Sequence, residues 1–170
     1  MARSARVEVF ADLQADVGEA PHWDERTRTL LFVDLTAGVV FRYDQSGVKL
    51  GSFSVGQEVG AVVPRRGGGL VLAVHDGIAA ASDTGADFEL TAPVERDVPG
   101  NRMNDAKCDP AGRLLAGTMA FDASLHSAAL YVTSAAYRLS ADQLKEEPHA
   151  GATFICRPGA EGVPGSSFAG

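Results

Sequence analysis

The segment from Asn101 to Arg113 carries side chains that could bind a cation or a small polar ligand. It reads Asn-Arg-Met-Asn-Asp-Ala-Lys-Cys-Asp-Pro-Ala-Gly-Arg and contains the only two asparagines of the 170-residue chain. An asparagine carbonyl is a neutral, hard oxygen donor suited to a Ca²⁺-type cation, and Arg102 offers a fork of donors for a hydroxyl, carbonyl or carboxylate. Taken alone, the run favours a turn over ligation, because Asx residues before Asp-Pro-Ala-Gly are typical of turns between strands.

A second polar segment, Gly18 to Glu25, stands in a similar relation to the strand that follows it and reads Gly-Glu-Ala-Pro-His-Trp-Asp-Glu. This segment, Asn101 to Arg113 and the following Leu-Leu-Ala-Gly-Thr-Met of Leu114 to Met119 together resemble the gluconolactonase, regucalcin and luciferin-regenerating-enzyme-like family of metal-dependent lactone hydrolases. The resemblance runs from about Val7 to Ala120 and fades after Phe121. It implies a cation site and a sugar-lactone substrate.

The resemblance implies a divalent cation, Ca²⁺, Zn²⁺ or Mn²⁺, in a central channel, held by one Glu, two Asn and one Asp. Glu19 matches the first ligand and Asn104 the second, and no asparagine follows Asn104 in this chain. Two protein ligands fall short of the six to eight oxygens of a Ca²⁺ site or the four ligands of a Zn²⁺ site. We therefore expect the metal site to be incomplete. The family's catalytic carboxylate comes from a later blade, so no residue of this chain is predicted to be catalytic.

The same resemblance suggests which residues would bind the substrate. Arg102 matches the family's substrate-holding arginine, and Asn104 is predicted to contact both substrate and metal. Asp122 stands near where some members carry a substrate-binding acid, although its neighbours in Ala120 to Ala123 depart from theirs. Asp105 is expected to alternate to the strand face opposite Asn104, which favours turn capping or pairing over base catalysis.

The remaining reactive side chains are interpreted as structural. Four histidines are scattered without metal-ligand spacing and are expected at the surface or in loops; they are His22, His75, His126 and His149. Cys108, which lies in a predicted strand, is interpreted as a buried structural thiol, and two cysteines are too few for a disulfide framework.

Composition excludes some partners. A net charge of −7 with 45% hydrophobic residues describes a globular chain and argues against a nucleic-acid partner, which needs a basic surface. The N-terminus has no apolar core of signal-peptide length, and no span of about 18 apolar residues occurs, so no membrane partner and a cytoplasmic location are expected.

Short apolar runs separated by turn residues predict an all-β fold. The predicted strands are Arg6 to Ala11, Leu30 to Asp34, Val39 to Tyr43, Val48 to Phe53, Gly60 to Pro64, Leu70 to Val74, Ile78 to Ser82, Phe88 to Thr91, Asn104 to Asp109 and Arg113 to Thr118. Turns at Trp23-Asp24, near Pro64 and at Asp109-Pro110 recur about every 42 residues, a period typical of β-propeller blades, though a β-sandwich also has regular turns. The resemblance favours the propeller.

The family closes a ring of six blades, and this sequence has material for about three. We therefore predict a partial propeller, with the N-terminal half of a lactonase-type propeller in residues 1–125 and a divergent, loosely ordered tail in residues 126–170. The strand near Arg6 to Ala11 would then have no partner in its own chain, and open blade faces would promote self-association. A truncated gene, a frameshift or a fragment would each produce this pattern.

Two functions from different classes remain open at this point. The first is a metal-dependent lactonase that opens a sugar lactone to the aldonic acid, impaired by the missing ligands. The second is a non-catalytic half-propeller that acts as a binding module. Metal content discriminates between them, because an enzyme retains about one divalent ion per site.

Overall fold

All regular structure in the described part of the chain is β-strand. The computed structural model describes residues 6–121 and 153–157. The strands are β1 (Arg6–Ala11), β2 (Gly18–Asp24), β3 (Thr29–Asp34), β4 (Val39–Asp44), β5 (Lys49–Ser54), β6 (Val59–Pro64), β7 (Leu70–Val74), β8 (Gly77–Ala81), β9 (Glu89–Pro93), β10 (Asn101–Cys108), β11 (Leu114–Ala120) and β12 (Thr153–Arg157). No helix within these residues has the length and apolar character needed to cross a bilayer.

The strands form consecutive antiparallel sheets that correspond to propeller blades. The first blade has the order β2-β3-β4-β5, the second has β6-β7-β8-β9, and β10 pairs with β11 in a third sheet. Tight turns join neighbouring strands, and Gly47 (φ 84°) and Gly85 (φ 84°) adopt the left-handed backbone that these hairpins need. The all-β, partial-propeller prediction is confirmed.

The second blade lies at the centre of the hydrophobic core. Its strands β6 and β7 are buried along their whole length, as their near-continuous Val, Leu and Ala sequences predict for strands covered on both faces. Strand β6 contacts both β2 and β10. One apolar cluster therefore runs through all three sheets and includes Leu31, Val62, Leu72 and Met103.

The first strand of every blade carries a break in its pairing with the second. The register shifts lie between Glu19 and His22 in β2, between Val59 and Ala61 in β6, and between Met103 and Ala106 in β10. Such bulges leave residues unpaired and re-aim side chains. Each of these three first strands therefore carries its break near the same point along its length.

One strand prediction is wrong in detail. The sequence pattern does not predict a strand over Gly18 to Asp24 and assigns Trp23-Asp24 to a turn, but these residues form β2. Pro21 has no N–H for a sheet ladder, and it is accommodated here because it lies in the bulge. Within the described residues, the third sheet consists of β10 and β11.

The prediction that the N-terminal strand has no partner is also wrong. Strand β1 pairs antiparallel with β12, with Arg6 opposite Arg157 and Ala11 opposite Thr153. Ala11 also packs against aromatic side chains of the first blade, which are Phe32, Phe41 and Tyr43. An unpaired strand edge accepts a β-prone segment of any origin, and Thr-Phe-Ile-Cys-Arg is such a segment. The division between residues 125 and 126 stays a prediction.

Gly60 is expected to be essential for the packing of β6 against β10. A Cβ at this position would lie 1.9 Å from the carbonyl oxygen of Asn104, so Gly60→Ala must push the two strands apart. We expect a loss of about 1–3 kcal/mol in the free energy of unfolding, measured with urea. Gly51→Ala is the matched control, because Gly51 also lies in a strand but a Cβ there would have no heavy atom within 4 Å. Equal stability of the two variants would contradict the close approach.

Candidate cation and ligand site

Glu19, Arg102 and Asn104 lie on the first strands of the first and third blades. Glu19 is half-buried in β2, and Arg102 and Asn104 are in β10. Both strands contact β6, so the second blade positions them. The first strands of the three blades can be aligned on the last residue before each turn, which is Asp24, Arg65 or Asp109. Five positions before these residues stand Glu19, Gly60 and Asn104, respectively. The second blade thus presents a glycine where its neighbours present oxygen donors.

The entry to β2 is fixed by a buried carboxylate at the end of β3. Asp34 accepts hydrogen bonds from the backbone N–H of Asp16 (2.8 Å) and of Val17 (3.2 Å), two residues before Glu19. Immediately after Glu19, Ala20 has a φ of 51°, in the left-handed region that is costly for a residue with a Cβ. Glu19 is therefore held between an anchored segment and a strained bulge.

Arg102 connects the polar groups of the third blade. Its side chain is 8% exposed, and its Nη1 donates to the Met103 carbonyl (2.9 Å) and to Asn104 Oδ1 (3.3 Å). Its Nε is buried and has no hydrogen-bond partner among the described residues. A buried donor without a partner is unfavourable, so this N–H is a polar group that the described residues leave unsatisfied.

The carboxyl group of Glu19 is electrostatically coupled to β10. Burial raises its pKa above the ordinary value of 4.5; the nearby charge of Arg102 lowers it, and that of Asp105 raises it further. Glu19 therefore lies within electrostatic range of both residues. A cation bound to Glu19 would offset the cost of burying its negative charge.

The expectation that Asp105 lies on the face opposite Asn104 stays a prediction. The register shift of β10 places both residues between the paired positions Met103 and Ala106, and the charge of Asp105 raises the pKa of Glu19. Asp105 Oδ1 also accepts the N–H of Ala106 (2.8 Å). No sequence signal separates a bulged Asn-Asp pair from an alternating one, so sequence reasoning missed this contribution to the site.

The donor set fits a hard cation in chemistry but supplies few ligands. Glu19 offers a carboxylate, and Asn104 Oδ1 offers an amide oxygen that already accepts one bond from Arg102. In the part of the chain that the structure describes, no group of three or more His, Cys, Asp or Glu side chains is arranged to hold a metal ion. These residues therefore suit part of an oxygen-ligand site.

Other candidates have different environments. His22, expected at the surface, is only 8% exposed in β2, so that expectation is wrong; burial and the charge of Lys107 lower its pKa, while Asp24 raises it. Burial and the charge of Asp109 raise the pKa of the Cys108 thiol, which disfavours a reactive thiolate. Asp122, His126 and His149 lie outside the described residues.

Comparisons with known proteins identify the class of this chain. The model of the SMP-30/gluconolactonase/LRE-like region matches residues 17–153. The chain therefore belongs to the SMP-30/gluconolactonase/LRE-like family. It is 42% identical to regucalcin of Xenopus laevis over 116 residues, which are 68% of this chain and 39% of that protein.

Solved structures agree with this assignment. A luciferin-regenerating enzyme superimposes with a TM-score of 0.66 at 35% identity, covering 72% of this chain and 42% of the enzyme. The calcium-binding protein regucalcin of Agrobacterium tumefaciens gives 0.64 at 26% identity, covering 71% of this chain and 41% of that protein. The chain thus spans about two fifths of the length of these relatives.

The raised pKa of Glu19 predicts a pH-dependent effect of its replacement. Its contribution to folding is fully present below 4.5, where the carboxyl is protonated in both states, and is lost as the pH rises through the higher folded pKa. Glu19→Gln removes this loss, so the variant should be more stable than the parent chain at neutral pH and equal to it below 4.5.

Urea unfolding at neutral and acidic pH measures this difference. Glu25→Gln, at an exposed glutamate, is the control and should change stability little at either pH. A Glu19→Gln variant that is less stable at neutral pH would show that attraction to Arg102 outweighs burial, contrary to this interpretation.

Proposed function

We propose that this chain carries the first part of a divalent-cation-dependent sugar-lactone hydrolase, which opens an aldonolactone to the aldonic acid. The observation that carries the proposal is the position of Arg102, which bonds Asn104 and acts electrostatically on Glu19. Family membership supports the lactonase type of chemistry, and similarity to a calcium-binding regucalcin supports a divalent ion.

Each residue has a proposed role. Glu19 and Asn104 contribute two oxygen ligands to the cation, which, when bound, polarises a lactone carbonyl and lowers the pKa of water. The Arg102 guanidinium is proposed to hold a substrate oxygen, and Asp122 is proposed as a further substrate contact. No residue of this chain is proposed as the general base, and the native choice among Ca²⁺, Zn²⁺ and Mn²⁺ is left to experiment.

The second candidate function is a binding module without turnover. It is favoured by the small donor set, because the described residues supply only Glu19 and Asn104 as proposed ligands. In that case Arg102 would still bind a sugar, but no activated carbonyl or water would be present. A cytoplasmic location and self-association remain predictions; the exposed Leu115, with 63% of its surface accessible on β11, supports the latter.

A lactone-opening assay separates the two candidates. The 170-residue chain alone should open gluconolactone no faster than buffer in a pH-stat with Zn²⁺, Mn²⁺ or Ca²⁺, because two ligands hold a cation weakly. A chain joined to the remaining blades of the luciferin-regenerating enzyme should become metal-dependent and fall to the buffer rate with Glu19→Gln or Asn104→Ala.

Glu25→Gln in the joined protein serves as the matched control and should keep its rate. A joined protein that binds metal but shows no turnover would favour the binding module. Clear metal-stimulated opening by the unmodified 170-residue chain would contradict the incomplete site.

A further inference from the structure

A histidine–glutamate pair is fixed at the edge of the second blade. His75, in the turn between β7 and β8, places its Nδ1 3.1 Å from Glu58 Oε2, just before β6. Its backbone N–H donates to the Glu58 carbonyl (2.9 Å), and Asp76 N–H donates to Gln57 Oε1 (3.0 Å). These bonds join the turn to the preceding loop, so the imidazole has a defined position.

Phe121 connects this pair to the candidate site. Its ring lies 5.8 Å from that of His75, centroid to centroid, with an interplanar angle of 30°. The guanidinium carbon of Arg102 lies 5.6 Å from the same ring centroid. The backbone N–H of Phe121 donates to the Gly100 carbonyl (2.6 Å), which holds the end of β11 against the start of β10. Side chains therefore follow one another without a break from Asn104 through Arg102 and Phe121 to His75.

Phe121 and His75 expose both apolar and polar atoms to solvent. Phe121 is 51% exposed although it is fully apolar, and the His75 side chain is 39% exposed. Because the Glu58 carboxylate accepts a hydrogen bond from Nδ1–H, Nε2 of the neutral ring is an acceptor, and it has no partner within residues 6–121. An apolar ring face thus adjoins one free hydrogen-bonding nitrogen and one buried guanidinium.

We propose that Phe121 and His75 form a second subsite, beside Arg102, for the polyhydroxylated ring of a neutral sugar lactone. This inference rests on the proposed function, because Phe121 and His75 would bind the part of the lactone that lies away from the reacting carbonyl. The C–H face of such a ring packs on Phe121, and one ring hydroxyl donates to His75 Nε2. Glu58 is a positioning residue that fixes the tautomer and orientation of His75.

The charge of the subsite favours a neutral ligand over an anion. The Glu58 carboxylate adjoins His75, so the net charge of this pair is at most zero. A phosphate or sulfate group placed at His75 would meet the negative charge of Glu58. A hydroxylated ring needs only the hydrogen bond and the apolar face.

Binding of 1,5-anhydroglucitol to the 170-residue chain tests the subsite. This polyol keeps the ring hydroxyls of glucono-1,5-lactone, but a CH₂ replaces the carbonyl, so it reports ring recognition without turnover. NMR titration should shift the ring signals of His75 and Phe121. His75→Ala and Phe121→Ala should each raise the Kd about fivefold, the effect of one lost hydrogen bond or aromatic contact.

Controls separate the subsite from general changes in the fold. Phe88→Ala removes another exposed phenylalanine, 37% accessible, and should leave the Kd unchanged. His75→Gln and Phe121→Leu repeat the test with conservative side chains, and amide spectra confirm folding of every variant. Inorganic phosphate serves as the anionic competitor.

The outcomes distinguish this inference from the proposed function. Unchanged Kd values in the His75 and Phe121 variants, no binding of the polyol by the parent chain, or displacement of the polyol by phosphate would each overturn the subsite. Polyol binding that depends on His75 and Phe121 would support it even if the joined protein opened no lactone, in which case the proposed hydrolase alone would fail.

Discussion

Strand β6 is packed on both sides by the first strands of the neighbouring blades, and this contact determines the geometry at the centre of the chain. The approach is so close that a Cβ on Gly60 would collide with the Asn104 carbonyl. Because β6 and β7 are buried along their whole length, their burial stabilises the arrangement on both sides. Strand β6 contacts the strands that carry Glu19 and Asn104, which lie far apart in sequence, and it has no oxygen donor in its side chain at the matching position, Gly60.

The polar groups at this centre are not arranged for stability alone. Glu19 is half-buried, which disfavours its charged form; Arg102 retains an unpartnered Nε; and Ala20 occupies a backbone region that costs energy. Each feature opposes folding by itself, and the apolar core of the second blade offsets it. A bound cation would balance the charge of Glu19, and a ligand oxygen would accept a hydrogen bond from Arg102. These residues are therefore the strongest candidates for a functional site.

The pairing of β1 with β12 gives the N-terminal strand a partner within its own chain. A β1 strand without a partner would expose backbone donors and acceptors next to the aromatic side chains Phe32 and Phe41 of the first blade. The partner strand comes from the distant segment Thr153–Arg157, so β1 is covered by a piece of its own chain. Strand β11, the last strand of the third sheet, exposes several side chains. Phe121, which follows it directly, contacts both Arg102 and His75.

The sequence alone predicts β1, the strands β3 to β11, their hairpin turns and the two segments that contain Glu19 and Asn104, because alternation, turn residues and motifs are local properties. Three features become visible only in the folded chain: the position of Pro21 inside a strand, the effect of the Asp105 charge on Glu19, and the pairing of β12 with β1. Bulges and long-range pairing depend on neighbouring strands that the local sequence does not specify. The contact of His75 with Phe121 likewise arises where two blades meet, so no spacing in the sequence reveals it.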